Sequence, residues 1–200
     1  MRKIPLMFIV LFMVAITILP LSASAASKAD FRNVKWGMNT KQVKKLEKDK
    51  LIDSGSVNKF SYLTYNSSVS STSAELSYLF YKNKLVRGIY EVKGNTFATA
   101  GDKINTYYGI KEALENKYGK PTNANDKYTI NGAESSLRND DGLDLMMGNI
   151  LFKSRWLINN KKTEVTLYLD TYQGQPRLRI LYTDRTNNLN VDKLLYSDGL

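Results

Sequence analysis

Lys153, Arg155, Thr166, Tyr168, Arg177 and Arg179 fall at alternate positions of three strand-like runs in the last quarter of the chain. Successive side chains of a strand point to opposite faces. The complementary positions are largely apolar: Phe152, Ser154, Trp156 and Ile158, then Val165, Leu167 and Leu169, then Leu178, Ile180 and Tyr182. If the three strands are neighbours, the cations gather around one tyrosine on the face that the core does not use. Positive groups with an interleaved aromatic ring suit phosphate, a polyanion or an acidic protein surface. Lys153, Arg155, Tyr168, Arg177 and Arg179 are therefore the candidate ligand-binding residues. The same pattern also describes an ordinary solvated sheet face, on which arginine stems cover apolar surface.

Other chemistries have little to work with. The chain has no histidine and no cysteine. Ser-His-Asp and Cys-His nucleophilic catalysis are thereby excluded, as are the usual zinc sites and any disulfide. "RNDDGLD" (Arg138–Asp144) clusters carboxylates around a glycine. The calcium-loop template fails there, because its spacing puts Leu137 at the first ligand and Gly148 at the bidentate acid. Asn, Asp and Gly are what turns use, so the segment is read as a polar turn, with an irregular calcium site as the alternative. Glycoside hydrolysis needs only two carboxylates. Glu91, Glu134 and Glu164 are available, but no spacing pairs them. No catalytic residue, metal site or cofactor is expected.

The first 25 residues carry a separate message. Arg2 and Lys3 precede an apolar run over Ile4–Leu21, followed by "SASA" with Ala23 and Ala25 at small-x-small spacing. This is the pattern of a secretory signal cleaved after Ala25; a retained anchor is the alternative. No later stretch is apolar enough to span a membrane after such cleavage. The chain has a net charge of +10, and the leader accounts for two of the positive charges. A basic exported protein can meet anionic wall polymer, lipid headgroups or nucleic acid; nucleic acid is the least expected, because the charges are spread along the chain. The densest run, "KQVKKLEKDK" (Lys41–Lys50), is partly balanced by Glu47 and Asp49.

The elements that must position these residues follow from periodicity. Asn39 and Gln42 have capping-box spacing, with Trp36 placed to pack over the helix start. Val43, Leu46 and Leu51 make the apolar stripe of a first helix that stops near Asp53–Ser56. Phe60–Tyr65 reads as a strand, Asn66–Ser73 as a polar loop, and Glu75–Tyr81 with Leu85–Lys93 as a hairpin about Lys82–Asn83. After a linker over Gly94–Asp102, a second helix covers about Asp102–Tyr118, its start placed near Gly109 if the glycine breaks it. Gly119 and Pro121 end it. A short strand at Tyr128–Ile130, the three strands above and a terminal helix within Asn187–Tyr196 complete the pass. The order predicts an α+β fold of two related helix-plus-antiparallel-sheet units in tandem, over 26–101 and 102–200, after a signal peptide at 1–25.

"FRNVKWGMNTKQVKKLE" (Phe31–Glu47) followed by strands and "KYGKP" (Lys117–Pro121) resembles a group of exported bacterial proteins, mostly without assigned function. In that group a W-G-M-polar-x-x-E/Q-V helix start precedes a small antiparallel sheet. The pattern is similar to the modules of the SmpA/BamE outer-membrane assembly lipoproteins and of the β-lactamase inhibitor proteins. This chain lacks the lipid-bearing cysteine of the first and the disulfides of the second. The resemblance implies binding rather than catalysis. The expectation is a secreted, non-enzymatic binding module of the cell envelope or medium, engaging an anionic wall polymer or acidic protein surface. A small carboxylate-dependent hydrolase and a structural envelope-assembly factor are the alternatives.

Overall fold

Phe31 and Val34 form a β-bridge whose tight turn places Arg32 at a positive φ of 50°. This opening segment seats the Phe31 ring on the backbone of Gly88, where an added Cβ would lie 2.1 Å from the ring. The computed structural model describes residues 29–93, 99–123, 125–130, 132–138, 140–187 and 189–196, with Ser135 and Tyr196 described by their backbone alone. The stretch read as a signal peptide, most of the Gly94–Asp102 segment read as a linker and the last four residues lie outside the described residues.

A short helix α1 (Thr40–Leu46) leads into β1 (Leu51–Val57), β2 (Phe60–Val69), β3 (Thr72–Tyr81) and β4 (Lys84–Val92). A long helix α2 (Ala100–Tyr118) precedes β5 (Lys127–Thr129), a 3-10 turn (Glu134–Ser136) and α3 (Asp141–Met146). The strands β6 (Ile150–Ile158), β7 (Thr163–Tyr172) and β8 (Gln175–Asp184), with a terminal α4 (Val191–Tyr196), complete the described chain. All eight strands form one antiparallel sheet in the order β1-β2-β3-β4-β8-β7-β6-β5. The fold is thus α+β. No described helix is long and apolar enough to cross a membrane.

The inner face of this sheet carries the main core. Phe152 and Trp156 of β6 and Leu178 and Ile180 of β8 are buried there with Tyr107, Ile110 and Leu114 of α2, and Leu76, Tyr78 and Phe80 of β3 belong to the same cluster. The cluster also includes Val43 of α1, so both helices lie on the inner side. The outer face has a smaller core, in which Val191 of α4 packs with Phe60, Leu79 and Val86.

Several sequence expectations hold. Asn39 caps α1 by accepting from the Gln42 N–H at 3.0 Å, while Gln42 Oε1 accepts from the Asn39 N–H at 2.9 Å. Gly119 ends α2 at φ 83°. The hairpin about Lys82–Asn83 forms with both residues at positive φ, the twist that two-residue hairpins require.

Others are corrected. The first helix stops at Leu46, and Asp53–Ser56 belongs to β1. Leu46 and Leu51 are exposed, and only Val43 of the predicted stripe is buried. Asn66–Ser73 is a hairpin rather than a loop; Ser70 and Ser71 make its turn at φ 46° and 64°. The second helix covers Ala100–Tyr118, close to the expected Asp102–Tyr118, so only the alternative start near Gly109 is corrected; Thr99 and Asp102 form a second capping box at its start. "RNDDGLD" is largely helical, because Asp140 accepts from the Leu143 N–H and caps α3. Trp36 packs on the main core beside Phe31 and donates its indole N–H to Thr163 Oγ1 at 2.9 Å, across the sheet from α1.

Candidate functional site

β6, β7 and β8 are neighbours, and their register sets the candidate residues in rows across the outer face. Lys153 lies opposite Tyr168, and Tyr168 opposite Arg179. Arg155 faces Thr166 in the next row, and Arg177 faces Asp170. All five predicted ligand-binding residues therefore share one surface. β7 positions the ring, and its two neighbours bring a cation to each side of it.

Three of the five, Lys153, Tyr168 and Arg179, line a groove, and Arg155 and Arg177 are not among its lining residues. Outer-face side chains of β4 and β6–β8 form its floor, and Leu189–Asp192 with Leu195 form one wall, enclosing about 570 Å³. α4 holds this wall in place through Arg87, whose Nη1 donates to Asp192 Oδ1 at 2.6 Å and whose Nε donates to Thr183 at 3.0 Å. Burial favours the neutral form of Asp192. The hydrogen bond and charge of Arg87, with the charges of Lys153 and Arg179, outweigh it and hold the carboxyl below its ordinary range.

The same alternation that turns Tyr168 outward also turns Glu164 and Asp170 outward on β7, so acids interleave with the cations, a signal the sequence reading passed over. Arg179 pairs with Asp170 at 2.8 Å, and Arg177 with the same carboxylate at 3.2 Å. Arg155 pairs with Glu164 at 2.7 Å. The guanidiniums of Arg179 and Arg177 also lie over the rings of Tyr168 and Tyr172, at 5.4 and 4.8 Å. Three donors remain. Lys153 makes no ion pair or side-chain hydrogen bond with any described residue, and Arg155 Nε and Arg179 Nε are buried without a hydrogen-bond partner. Lys153 and Arg179 flank Tyr168 in one row.

The other candidates have structural occupations. Asp144 is buried and accepts from the Arg138 N–H and from Asn149 Nδ2. Among the described residues, no three acidic side chains gather as a metal site would require. Glu91 pairs with Lys93, Glu164 with Arg155, and Glu134 stands apart on the 3-10 turn.

A second polar assembly escaped sequence reasoning because its partners are distant in the chain. Arg32 donates to Ser67 and Tyr90 at 3.0 and 2.9 Å, and to Glu47 and Asp49 at 3.1 Å each. The Glu47 side chain is only 2% exposed and also accepts from the Tyr78 hydroxyl. Burial raises the pKa of Tyr78, and the hydrogen bond and charge of Glu47 raise it further. This cluster fastens the opening segment to the inner face. In comparisons with family models, curated proteins and solved structures the chain finds no match, so the geometry alone carries the functional reading.

Proposed function

We propose that this protein is a secreted, non-enzymatic binding module of the cell envelope or its surroundings, and that the outer groove takes an acidic group of its partner. The observation that carries this reading is Lys153 Nζ, which has no ion pair with a described residue and lies in the groove beside Tyr168, with the Arg179 guanidinium over the ring. A carboxylate or phosphate would pair with this lysine at the edge of the ring. Glu164, Asp170, Asp184 and Asp192 line the same groove. They would repel a continuous polyanion, so the geometry favours an acidic side chain or chain end of a protein over a wall polymer. Two copies of one helix-plus-four-strand unit are part of the reading. In its support, α1 and α2 each precede four strands, and the last strands of the two sets, β4 and β8, pair antiparallel.

Lys153→Gln is the informative variant, because it removes a cation without freeing a carboxylate. A double reversal of Arg177 and Arg179 would instead crowd Asp170 with new acids. With an acidic peptide as titrant, Lys153→Gln should weaken binding about tenfold, the scale of one charge-assisted hydrogen bond. Lys161→Gln, in the exposed β6–β7 turn, should leave it unchanged. Equal losses in both would reduce the site to bulk charge.

A further inference from the structure

Residues 41–52 present a different surface on the opposite side of the sheet. Lys41, Lys44, Lys45, Lys48 and Lys50 are all exposed, and none is in an ion pair with a described residue. In the sequence Glu47 and Asp49 offset them. In the fold both acids turn toward Arg32, which leaves the lysines unopposed at the surface. Among the lysines sit three aliphatic side chains that the core does not use: Leu46, Leu51 and Ile52 are 36%, 39% and 42% exposed. β1 is an edge strand whose seven residues are all exposed.

We infer that this α1–β1 junction docks the protein on an anionic lipid surface, its lysines at the headgroups and Leu46, Leu51 and Ile52 at the acyl boundary. Two separate features point to that occupant. Lysines are flexible point charges, suited to a fluid array of phosphates rather than to one fixed partner. Exposed aliphatic side chains beside them serve no purpose against a hydrophilic polymer, whereas interfacial binding uses both apolar area and charge. The location adds a consequence: α1 packs on the inner side of the sheet, so docking there leaves the outer groove facing away from the lipid.

The test compares co-sedimentation of the full chain with phosphatidylglycerol-containing and pure phosphatidylcholine vesicles. The leader is common to every variant, so the readout is the ratio between the two lipids. The wild type should favour phosphatidylglycerol, and salt should reduce that preference. Lys44→Glu with Lys45→Glu should lower it at least about tenfold, and Lys161→Glu with Lys162→Glu, an equal change of net charge in an exposed turn, should not. Leu51→Ser with Ile52→Ser should weaken binding, with an unchanged circular dichroism spectrum showing that the fold survives. Equal loss in both lysine pairs would overturn the proposal, as would no lipid preference in the wild type. Wild-type binding by the serine variant would make the surface a polyanion site and would overturn it too. The groove reading is independent, because none of these substitutions touches Lys153 or Arg179.

Discussion

Arg32 is the residue on which the opening segment depends. It answers a glutamate that is almost wholly buried, and it spans β2, β4 and the end of α1 in one side chain. Burial disfavours its charge, but the hydrogen bond to the Tyr90 hydroxyl and the charge of Glu47 more than compensate, and the guanidinium stays protonated. Arg32→Met would leave the buried Glu47 side chain without its cationic partner. Such a loss should cost about 3 kcal/mol in urea unfolding. Adding Glu47→Gln should recover part of it, since the neutral amide no longer needs a cation. A double variant no more stable than Arg32→Met would mean that the cost is lost packing rather than stranded charge. None of this was legible in the sequence. Arg32 and its acids are 15 and 17 residues apart in the chain, and no local spacing links an arginine in a tight turn to a carboxylate beyond a helix.

At the scale of elements, α2 carries a removable cost. Gly109 sits inside it, exposed, with nothing within 4 Å of an added Cβ. Gly109→Ala should therefore stabilise the protein by about 0.5–1 kcal/mol, and an unchanged thermal midpoint would count against that accounting. The glycine suggested an alternative helix start in the sequence, which the capping box at Thr99–Asp102 outweighs. Strands were legible where one face enters the core, as in β3, β6, β7 and β8. β1 was not, because a strand exposed on both faces shows no alternation. For α4, pH is the lever. The depressed carboxyl of Asp192 contributes stability that is fully present above the ordinary carboxylate range, and that contribution is lost as pH falls through the lowered value. Hydrogen exchange of the α4 amides should accelerate in acid as the Arg87 bond is lost. Asp192→Asn should remove that pH dependence and exchange faster at neutral pH.

At the scale of the molecule, the two four-stranded halves meet along β4 and β8, and the opening segment straddles that seam. Phe31 contacts Tyr78 and Tyr90 of one half and Tyr182 of the other, with ring centroids 5.7, 5.8 and 4.5 Å away. Trp36 crosses the same seam to Thr163. One apolar cluster runs through both halves, so they should unfold together. Of the chain's two tryptophans, Trp36 reports on the opening segment at the seam and Trp156, on β6, on the second half. Trp156→Phe leaves Trp36 as the probe, and Trp36→Phe leaves Trp156. The comparison is made within each single-tryptophan background, where fluorescence and circular dichroism should give coincident transitions. Gly88→Ala is the perturbation aimed at the seam, because its Cβ has no room beneath the Phe31 ring. Overpacking of this kind costs about 1–3 kcal/mol. In a single cooperative unit the Gly88→Ala midpoint falls by the same amount for both tryptophan probes, although Trp156 lies away from the seam on β6. If only the Trp36 signal shifts while Trp156 keeps its midpoint, the halves are separate folding units and the shared core does not couple them.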